Sequence, residues 1–414
     1  MTSAPVRPSG ARQAVRQAVG GLPAAFWWLW ASSLINRIGA FVATFLAFYL
    51  TADQGYPASF AGLVVALYGG GSVVASLIGG VLTDRLGRRP TMLVSQVATG
   101  VSVALLGFVQ APVAVSAIAF VVGVASNASR PAVQVMMADI VAPADRVRAF
   151  SLNYWAINLG FAVSAAGAGL IAEVSYRAGF LVEAALTLCC AVLIFIKVPE
   201  SRPEPTAVDA TTPRPGGPVW RDKSFMTLVT VSFVVALIFQ QGFVGLSLTM
   251  ADQGFSSGDF GLVIALNGIL IVALQIPVTR LIERRDPRRL LVLAALGAGG
   301  GFALTAFAHS MVGYAATVLV WTVAEIVSAP TQSSLVVALS PLHGRGRYQG
   351  VFATSIALAA VAAPAIAGLV VARFGADWLW GLCAVLGVVA ALGYAALSVR
   401  ITARTPTPEE GRTS

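Results

Sequence analysis

Twelve stretches of this chain are predominantly apolar, each over 18 to 29 residues. That is the length a helix needs to cross about 30 Å of hydrocarbon. Lipid offers no partner to backbone N–H and C=O groups, so a spanning segment must satisfy its own, as a helix does. The alternating pattern of an outer-membrane barrel is absent. Charge agrees: 11% of the residues are charged, against about 25% in a soluble domain. The expected fold is an all-α membrane protein of twelve transmembrane helices.

The spans are placed at Phe26–Leu50, Ser59–Thr83, Thr91–Val109, Pro112–Ile140, Phe150–Ile171 and Phe180–Val198, then Phe225–Leu248, Phe260–Val278, Leu290–Phe307, Gly313–Leu339, Gln349–Val371 and Trp378–Val399. With the N-terminus inside, 23 of the 27 basic residues fall in cytoplasmic connections and tails. Only Arg177 and Arg373 lie in outside loops, and Arg37 and Arg130 lie within spans. The opposite orientation violates the positive-inside rule almost everywhere. The expected location is the inner (cytoplasmic) membrane with both termini cytoplasmic.

The connection 199–223 is rich in Pro, Thr and Gly and reads as a flexible cytoplasmic linker. It divides the chain into a tail (1–25), a six-helix bundle (26–198), the linker, a second six-helix bundle (224–399) and a second tail (400–414). The first apolar run is too long for a cleavable signal peptide and continues as a span. Ala11–Val19 has the pattern of a short surface helix.

The two halves are related by a shift of 199 residues. Ala52-Asp-Gln-Gly55 falls on Ala251-Asp-Gln-Gly254, and Gly62-Leu-Val64 on Gly261-Leu-Val263. Ten of nineteen positions from 51 to 69 are identical under this shift. It also places Asp84-Arg85 on Glu283-Arg284, Pro131 on Pro330, Arg148 on Arg347 and Gly169 on Gly368. An even number of spans per half gives both halves the same orientation. Such parallel repeats enclose a site near the membrane midplane.

Several function classes are excluded. The formal charge of +9 does not point to nucleic acid, because the basic residues flank apolar spans and form no patch with interleaved aromatics. Only Lys197 and Lys223 are lysines, a bias we read as base composition. Cys189, Cys190 and Cys383 lie in apolar runs without metal spacing, and adjacent Cys189 and Cys190 are poor disulfide partners. There is no phosphate-binding Gly-Lys-Ser/Thr loop, no nucleophile triad and no metal cluster. His309 and His343 fall at loop positions. The chain reads as neither an enzyme nor a cofactor protein, and as a monomer.

The densest charge in the chain is Gly79-Gly-Val-Leu-Thr-Asp-Arg-Leu-Gly-Arg-Arg-Pro90, between spans two and three. Twelve spans, the repeat and Gly80-x3-Asp84-Arg85-x-Gly87-Arg88-Arg89 together resemble the major facilitator superfamily. The resemblance covers nearly the whole chain, and within the family it is similar to bacterial drug-type exporters, including dipeptide exporters. It implies that this motif latches the cytoplasmic side in the outward-facing state, with Asp84 bonded to Arg88 and linked to Asp139 at the end of span four. Asp84 can also face the N-terminus of span eleven, where the helix dipole favours negative charge. The alternative is that these charges only fix topology, for which arginines alone suffice. Family exporters often carry Gly-x3-Gly-Pro-x2-Gly-Gly in span five. Here the stretch is Gly160-Phe-Ala-Val-Ser164-Ala165-Ala-Gly-Ala168-Gly169, with Ser-Ala in place of Gly-Pro. Its small residues still permit close helix packing.

Arg37, Arg130 and Glu325 lie well inside spans. Each costs about 2.5–3.5 kcal/mol at mid-bilayer on insertion scales, so each should face a cavity or a partner. Glu325 is the only acid in the middle of a span; Glu183 and Asp259 lie near outer ends and Asp139 near an inner end. A carboxylate that alternates between a proton and a substrate or arginine couples two fluxes, and Glu325 is the leading proton carrier. The other reading is a permanent ion pair. Arg37 lies in Asn36-Arg37-Ile-Gly39, with Phe41 and Phe45 following at helical spacing. Arg37 with Glu325 resembles the clamp of superfamily peptide transporters, in which a span-one arginine takes the peptide carboxylate and a span-ten glutamate the amine. Arg37 is alternatively part of a proton relay. Arg130, before Pro131, resembles a span-four arginine tied to proton coupling, or it snorkels to the cytoplasmic surface.

The expected cavity wall adds Tyr154 and Asn158 of span five, Gln240 and Gln241 of span seven, Asn267 of span eight and Trp321 of span ten. Aromatics with few polar groups suit amphipathic organic substrates. The glutamines alternatively bond between helices, and Trp321 alternatively packs. These features point to a proton-driven exporter of small amphipathic compounds, drugs or short peptides, moving its site between sides by rocking the halves. An importer of peptides or metabolites uses the same parts, and a non-transporting receptor could keep the same fold.

Overall fold

The apolar runs fold as helices throughout. A computed structural model describes residues 20–201, 218–283, 285–341 and 344–397, and no strand occurs among them. The surface helix at 11–19, most of the linker, Arg284 and His343 lie outside the described residues, as do the side chains of 165–174 in span five.

The helices are α1 (Ala24–Ile38), α2 (Phe41–Phe48), α3 (Ala58–Arg85), α4 (Arg88–Leu106), α5 (Pro112–Ile140), α6 (Arg146–Val174), α7 (Tyr176–Lys197), α8 (Lys223–Gln240), α9 (Gly245–Asp252), α10 (Ser257–Ile282), α11 (Pro287–Ala303), α12 (Met311–Leu339), α13 (Arg345–Phe374) and α14 (Ala376–Ala396). Nine helical segments among the described residues are long and apolar enough to cross a membrane. The chain is therefore an all-α, multi-pass membrane protein.

Two expected spans are not continuous helices. The first breaks at Gly39–Ala40, between α1 and α2. Glycine weakens a helix by about 1 kcal/mol relative to alanine, and Gly39 lets the chain pass close to Leu186 of α7. The break leaves backbone amides at the start of α2 without helical partners. Glu183 of α7 takes them: its Oε2 accepts from the Val42 amide at 2.7 Å, and its carboxylate also bonds the Phe41 amide. The seventh span breaks at Gln241–Val244, between α8 and α9. Shifting Phe41 by 199 residues lands on Gln240, so the two breaks fall within about a turn of each other in the repeat.

Glycines set the helix approaches. Cβ atoms at Gly71 and Gly79 of α3 would collide with backbone of α5, and one at Gly123 of α5 with the Tyr68 carbonyl of α3. This is close small-residue packing of the kind membrane helices use. Gly80 of α3 abuts Gly346 and Gly350 of α13 in the same way, across the two sequence halves. Farther along the same helices, Gly62, Gly69 and Gly70 of α3, Gly261 and Gly268 of α10 and Gly368 of α13 would meet nothing. The close α3–α13 approach at glycine is thus at the Gly80 end. Apolar cores fill each half, with Phe41, Tyr49, Val103, Leu106 and Phe180 in the first and Phe302, Val318, Trp321, Leu379 and Trp380 in the second, and a further cluster packs Val337 of the second half against Phe26, Met136 and Phe150 of the first.

Candidate functional site

Glu325 lies five residues before Pro330 in α12. Proline has no N–H to give, so the carbonyl one turn back loses its helical partner. That carbonyl, Ile326, receives Gln275 Nε2 of α10 at 3.4 Å, which ties the two helices beside the acid. The Glu325 carboxylate sits where α6, α10 and α12 meet. Its Oε1 accepts from the Tyr154 hydroxyl at 2.5 Å, and its Oε2 from Asn267 Nδ2 at 3.0 Å. Asn267 also donates to Thr322 Oγ1 at 2.9 Å. Tyr154 belongs to the first half of the chain, and Asn267 and Thr322 to the second, so the carboxylate bridges the halves. Asn158 supports Tyr154 by donating to its backbone carbonyl at 2.9 Å. Nearby, Trp155 Nε1 donates to the Val272 carbonyl at 2.9 Å, a second link between the halves. Both of Glu325's partners are neutral donors, and no described residue forms an ion pair with it. A carboxyl so placed has no salt bridge to break if it takes up a proton.

Arg37 and Glu325 do not bond to each other. The stem of Arg37 packs on Gly160 of α6, and its guanidinium lies 5.1 Å from the centroid of the Phe161 ring. The groups that act on it electrostatically are Arg130 and Tyr68. Arg130 is exposed rather than paired, and Tyr68 is its electrostatic neighbour too. A turn from each, Asn127 Nδ2 donates to Ser72 Oγ at 2.8 Å, joining α5 to α3.

Two expected wall residues belong to apolar cores instead. The break at Gly39–Ala40 separates Phe41 from the face of Arg37. Phe41, 3% exposed, packs edge-on against Phe180 with ring centroids 5.5 Å apart. Trp321, also 3% exposed, stacks on Phe302 at 5.0 Å. Gln240 ends α8, and Gln241 is buried at the break, next to Gly245. The structure brings neither glutamine to Glu325.

The charged motif forms a second constellation at the Gly80 end. Asp84 sits on the N-terminus of α13, where Oδ1 accepts from the Gly346 amide at 2.8 Å and Oδ2 from the Arg347 amide at 2.9 Å. Arg347 Nε lies 3.4 Å from the same carboxylate. Helix α13 starts at Arg345, a turn before the expected span, and this places its free amides opposite Asp84. The expected Asp84–Arg88 bond is replaced. Arg88, 1% exposed, turns its Nε to Asp139 at 3.0 Å, and Arg345 pairs with the other oxygen of Asp139. One acid of α5 thus joins α4 to α13. Ser201 Oγ adds a bond to Asp139 at 3.2 Å. Arg146 flanks the cluster and donates to the Ala138 carbonyl at 2.9 and 3.1 Å. Burial, with Arg345 adding to it, lowers the Arg146 pKa below the usual arginine value, and Asp139 opposes the shift.

Gly87 caps α4 with φ +108°, a conformation that favours glycine. A Cβ there would lie 2.7 Å from Glu200 Oε2. Glu200 accepts from the Arg88 and Arg89 amides at 3.0 Å each, at the positive end of α4. Arg89 bonds the Phe195 carbonyl and lies over the Phe195 ring, while Arg85 is exposed. The sequence alone assigns no role to Glu200 or Ser201, and Arg345 counts there only as a topology marker. Glu183, Tyr68, Thr322 and Gln275 went unassigned as well. A lone acid following the last apolar residue of a span was the available signal for Glu200.

A many-helix membrane fold, with a buried acid bridging its halves and a cluster of buried charges joining them at one end, is the architecture of a secondary transporter. The model for the major facilitator superfamily matches residues 29–364 and 244–414, and the chain belongs to that family. Members are transporters, not enzymes. The chain is 26% identical to the uncharacterised transporter YqjV of Bacillus subtilis (strain 168), covering 89% of this chain and 91% of that protein. It is 23% identical to a Na(+), Li(+), K(+)/H(+) antiporter of Planococcus maritimus, covering 85% and 90%. The crystal structure of the human organic anion transporter MFSD10 (TETRAN) superposes with a TM-score of 0.73 at 19% identity, covering 90% of this chain and 99% of that one.

Proposed function

We propose that the chain is a proton-coupled exporter of small amphipathic organic compounds, drugs or short peptides. It spans the inner membrane twelve times as two six-helix bundles related by the repeat, with both termini cytoplasmic, and it works by rocking one bundle against the other. Glu325 carries the proton. The observation behind this is its place at the seam, held by Tyr154 of one half and Asn267 of the other. A group bonded across the seam feels any separation of the halves, so its protonation and their movement are linked. The arginine-rich end, where Asp84 and Asp139 join α13, is the cytoplasmic gate in its closed state. The antiporter among the relatives and a tetracycline resistance protein of Escherichia coli, 26% identical over 78% of this chain and 82% of that protein, favour outward movement.

The test is transport by the purified protein in proteoliposomes with the pH gradient imposed each way. The panel is a set of dipeptides and lipophilic cations. Antiport predicts accumulation when the lumen is acidic. Accumulation only with an acidic exterior would make the protein a symporting importer, and no flux in either direction would favour a receptor. Glu325→Gln should abolish gradient-driven accumulation while leaving downhill exchange. Full gradient-driven transport by this variant would remove the proton from Glu325.

A further inference from the structure

Glu183 is a buried acid that neither the seam nor the charged cluster at the Gly80 end uses. It is 8% exposed and forms no ion pair with another described residue. One face of α7 grips the break in the first span at three successive positions. The Phe41 ring lies over Gly179, where a Cβ would come within 2.5 Å of it. One turn on, the Glu183 carboxylate accepts from the Val42 amide at 2.7 Å and from the Phe41 amide. A turn beyond that, Leu186 closes on Gly39. The ionisable groups nearby are turned elsewhere. Arg37 lies over Phe161, the Tyr49 hydroxyl donates to the Leu106 carbonyl at 3.4 Å, Asp53 accepts from Gln54, and Tyr154 of α6 goes to Glu325. Tyr176 meets Phe41 and Tyr49 with its ring, and Arg177 acts on Tyr49. The charged residues of α4, Arg88 and Arg89, are at the Gly80 end, as are Arg146 and Arg148 of α6. Glu173 of α6 is among the side chains outside the described set.

The described partners of this carboxyl are N–H donors at a helix N-terminus, which suit the ionised, acceptor-only form. A proton replaces charge-assisted bonds with weaker neutral ones and adds an O–H donor facing other donors. The repeat supplies an internal contrast. Under the 199-residue shift Glu183 falls on Leu382, and the second break has no acid of this kind. Backbone closes that break instead: the Leu246 amide donates to the Gln241 carbonyl at 2.8 Å, and the Val244 amide to the Gln240 carbonyl at 3.3 Å. A backbone carbonyl does not titrate, so only the first break is held by a group that pH can change.

We infer that Glu183 is a second proton-binding site, and that a proton there loosens its hold on the Val42 and Phe41 amides and so the break between α1 and α2. The hold is complete while Glu183 is ionised and is lost as pH falls through its titration. The angle between α1, which carries Arg37, and α2 then responds to pH separately from Glu325. The site rests on the geometry of the break, and it stands whether or not Glu325 carries the proton of transport.

Hydrogen–deuterium exchange of the full-length protein in phosphatidylcholine nanodiscs tests this, read by mass spectrometry at α2 (Phe41–Phe48) and, as the control, α9 (Gly245–Asp252). Rates are corrected for the intrinsic effect of pH on exchange. Taking the parent from alkaline to acid pH should lower the protection of α2 about ten-fold, the difference between charge-assisted and neutral bonds, and leave α9 unchanged. Glu183→Gln keeps an acceptor but carries no charge. It should show the lowered protection of α2 at every pH, with a melting temperature close to the parent's, which separates a lost proton site from a lost fold. Glu325→Gln should keep the parent's response. In infrared difference spectra, a protonated-carboxyl band should appear on acidification and be diminished in Glu183→Gln. An α2 response that survives Glu183→Gln, or that vanishes in Glu325→Gln, would overturn the site. Equal loss of protection at α2 and α9 would do so too, as would no pH response in the parent.

Discussion

Replacing Asp84 with Asn removes one charge and one acceptor from the latch with little change in shape. The carboxylate accepts from two backbone amides, Gly346 and Arg347, at the N-terminus of α13. Hydrogen bonds to a charged group contribute about 1.5–3 kcal/mol each, and a neutral one about 1 kcal/mol. The asparagine keeps one acceptor oxygen and turns its NH2 toward the other amide. The loss is therefore about 2–5 kcal/mol, and the helix dipole adds about 0.3–1 kcal/mol. On the proposed reading of this contact as a gate, all of it falls on the closed state, because Asp84 makes these bonds only when α3 and α13 meet. Even about 2 kcal/mol shifts the balance between closed and open roughly 30-fold. Spin labels at Leu86 and Arg285, both exposed, report the separation of the two halves at this end once the three native cysteines are replaced. Asp84→Asn should move most of the distance distribution to longer values. Glu283, the counterpart of Asp84 under the 199-residue shift, forms no ion pair with another described residue. Glu283→Gln should leave the distribution unchanged. Charge reversal should widen this contrast, because an arginine at 84 would face both the helix N-terminus and Arg347. Equal shifts from the two sites, or none from Asp84→Asn, would refute the asymmetric latch.

Three further outcomes follow from the same geometry. Gly80→Leu should wedge α3 from Gly346 and Gly350 and expose the latch end to membrane-impermeant thiol reagents, whereas Gly62→Ala, with open space around it, should not. Asp139→Ala strands Arg88 and Arg345, both under 9% exposed, and should cost about 3–5 kcal/mol as a lost buried pair, read as a lower melting temperature in detergent. Glu183→Leu leaves the Phe41 and Val42 amides buried without an acceptor, at about 1–3 kcal/mol each, while Glu183→Gln keeps an acceptor and should melt close to the parent.

What the sequence made legible depends on whether a feature is set by composition or by contact. The helices and the motif were readable because apolar length and scarce charge are properties of the chain itself. The break in the first span was not, because Gly39 is a modest signal and the acid that stabilises the break is 141 residues away. Arg88 was paired with its neighbour one turn back, yet α13 brings Arg345 and the end of α5 brings Asp139, and a buried arginine goes to the acid it shares with another helix. Phe41 and Trp321 were placed on a cavity wall because an aromatic at helical spacing does not say which side of its helix is filled. The repeat holds the remaining information in its departures. The 199-residue shift carries Tyr68 onto Asn267, Ser126 onto Glu325 and Arg130 onto Ala329. Tyr68 and Asn267 each attend the ionisable group of their own half, arginine in the first and glutamate in the second. The positions are equivalent and the charges are not. Well inside the spans the first half holds Arg37 and Arg130 and the second holds Glu325, so the repeat preserves the scaffold while the charges diverge.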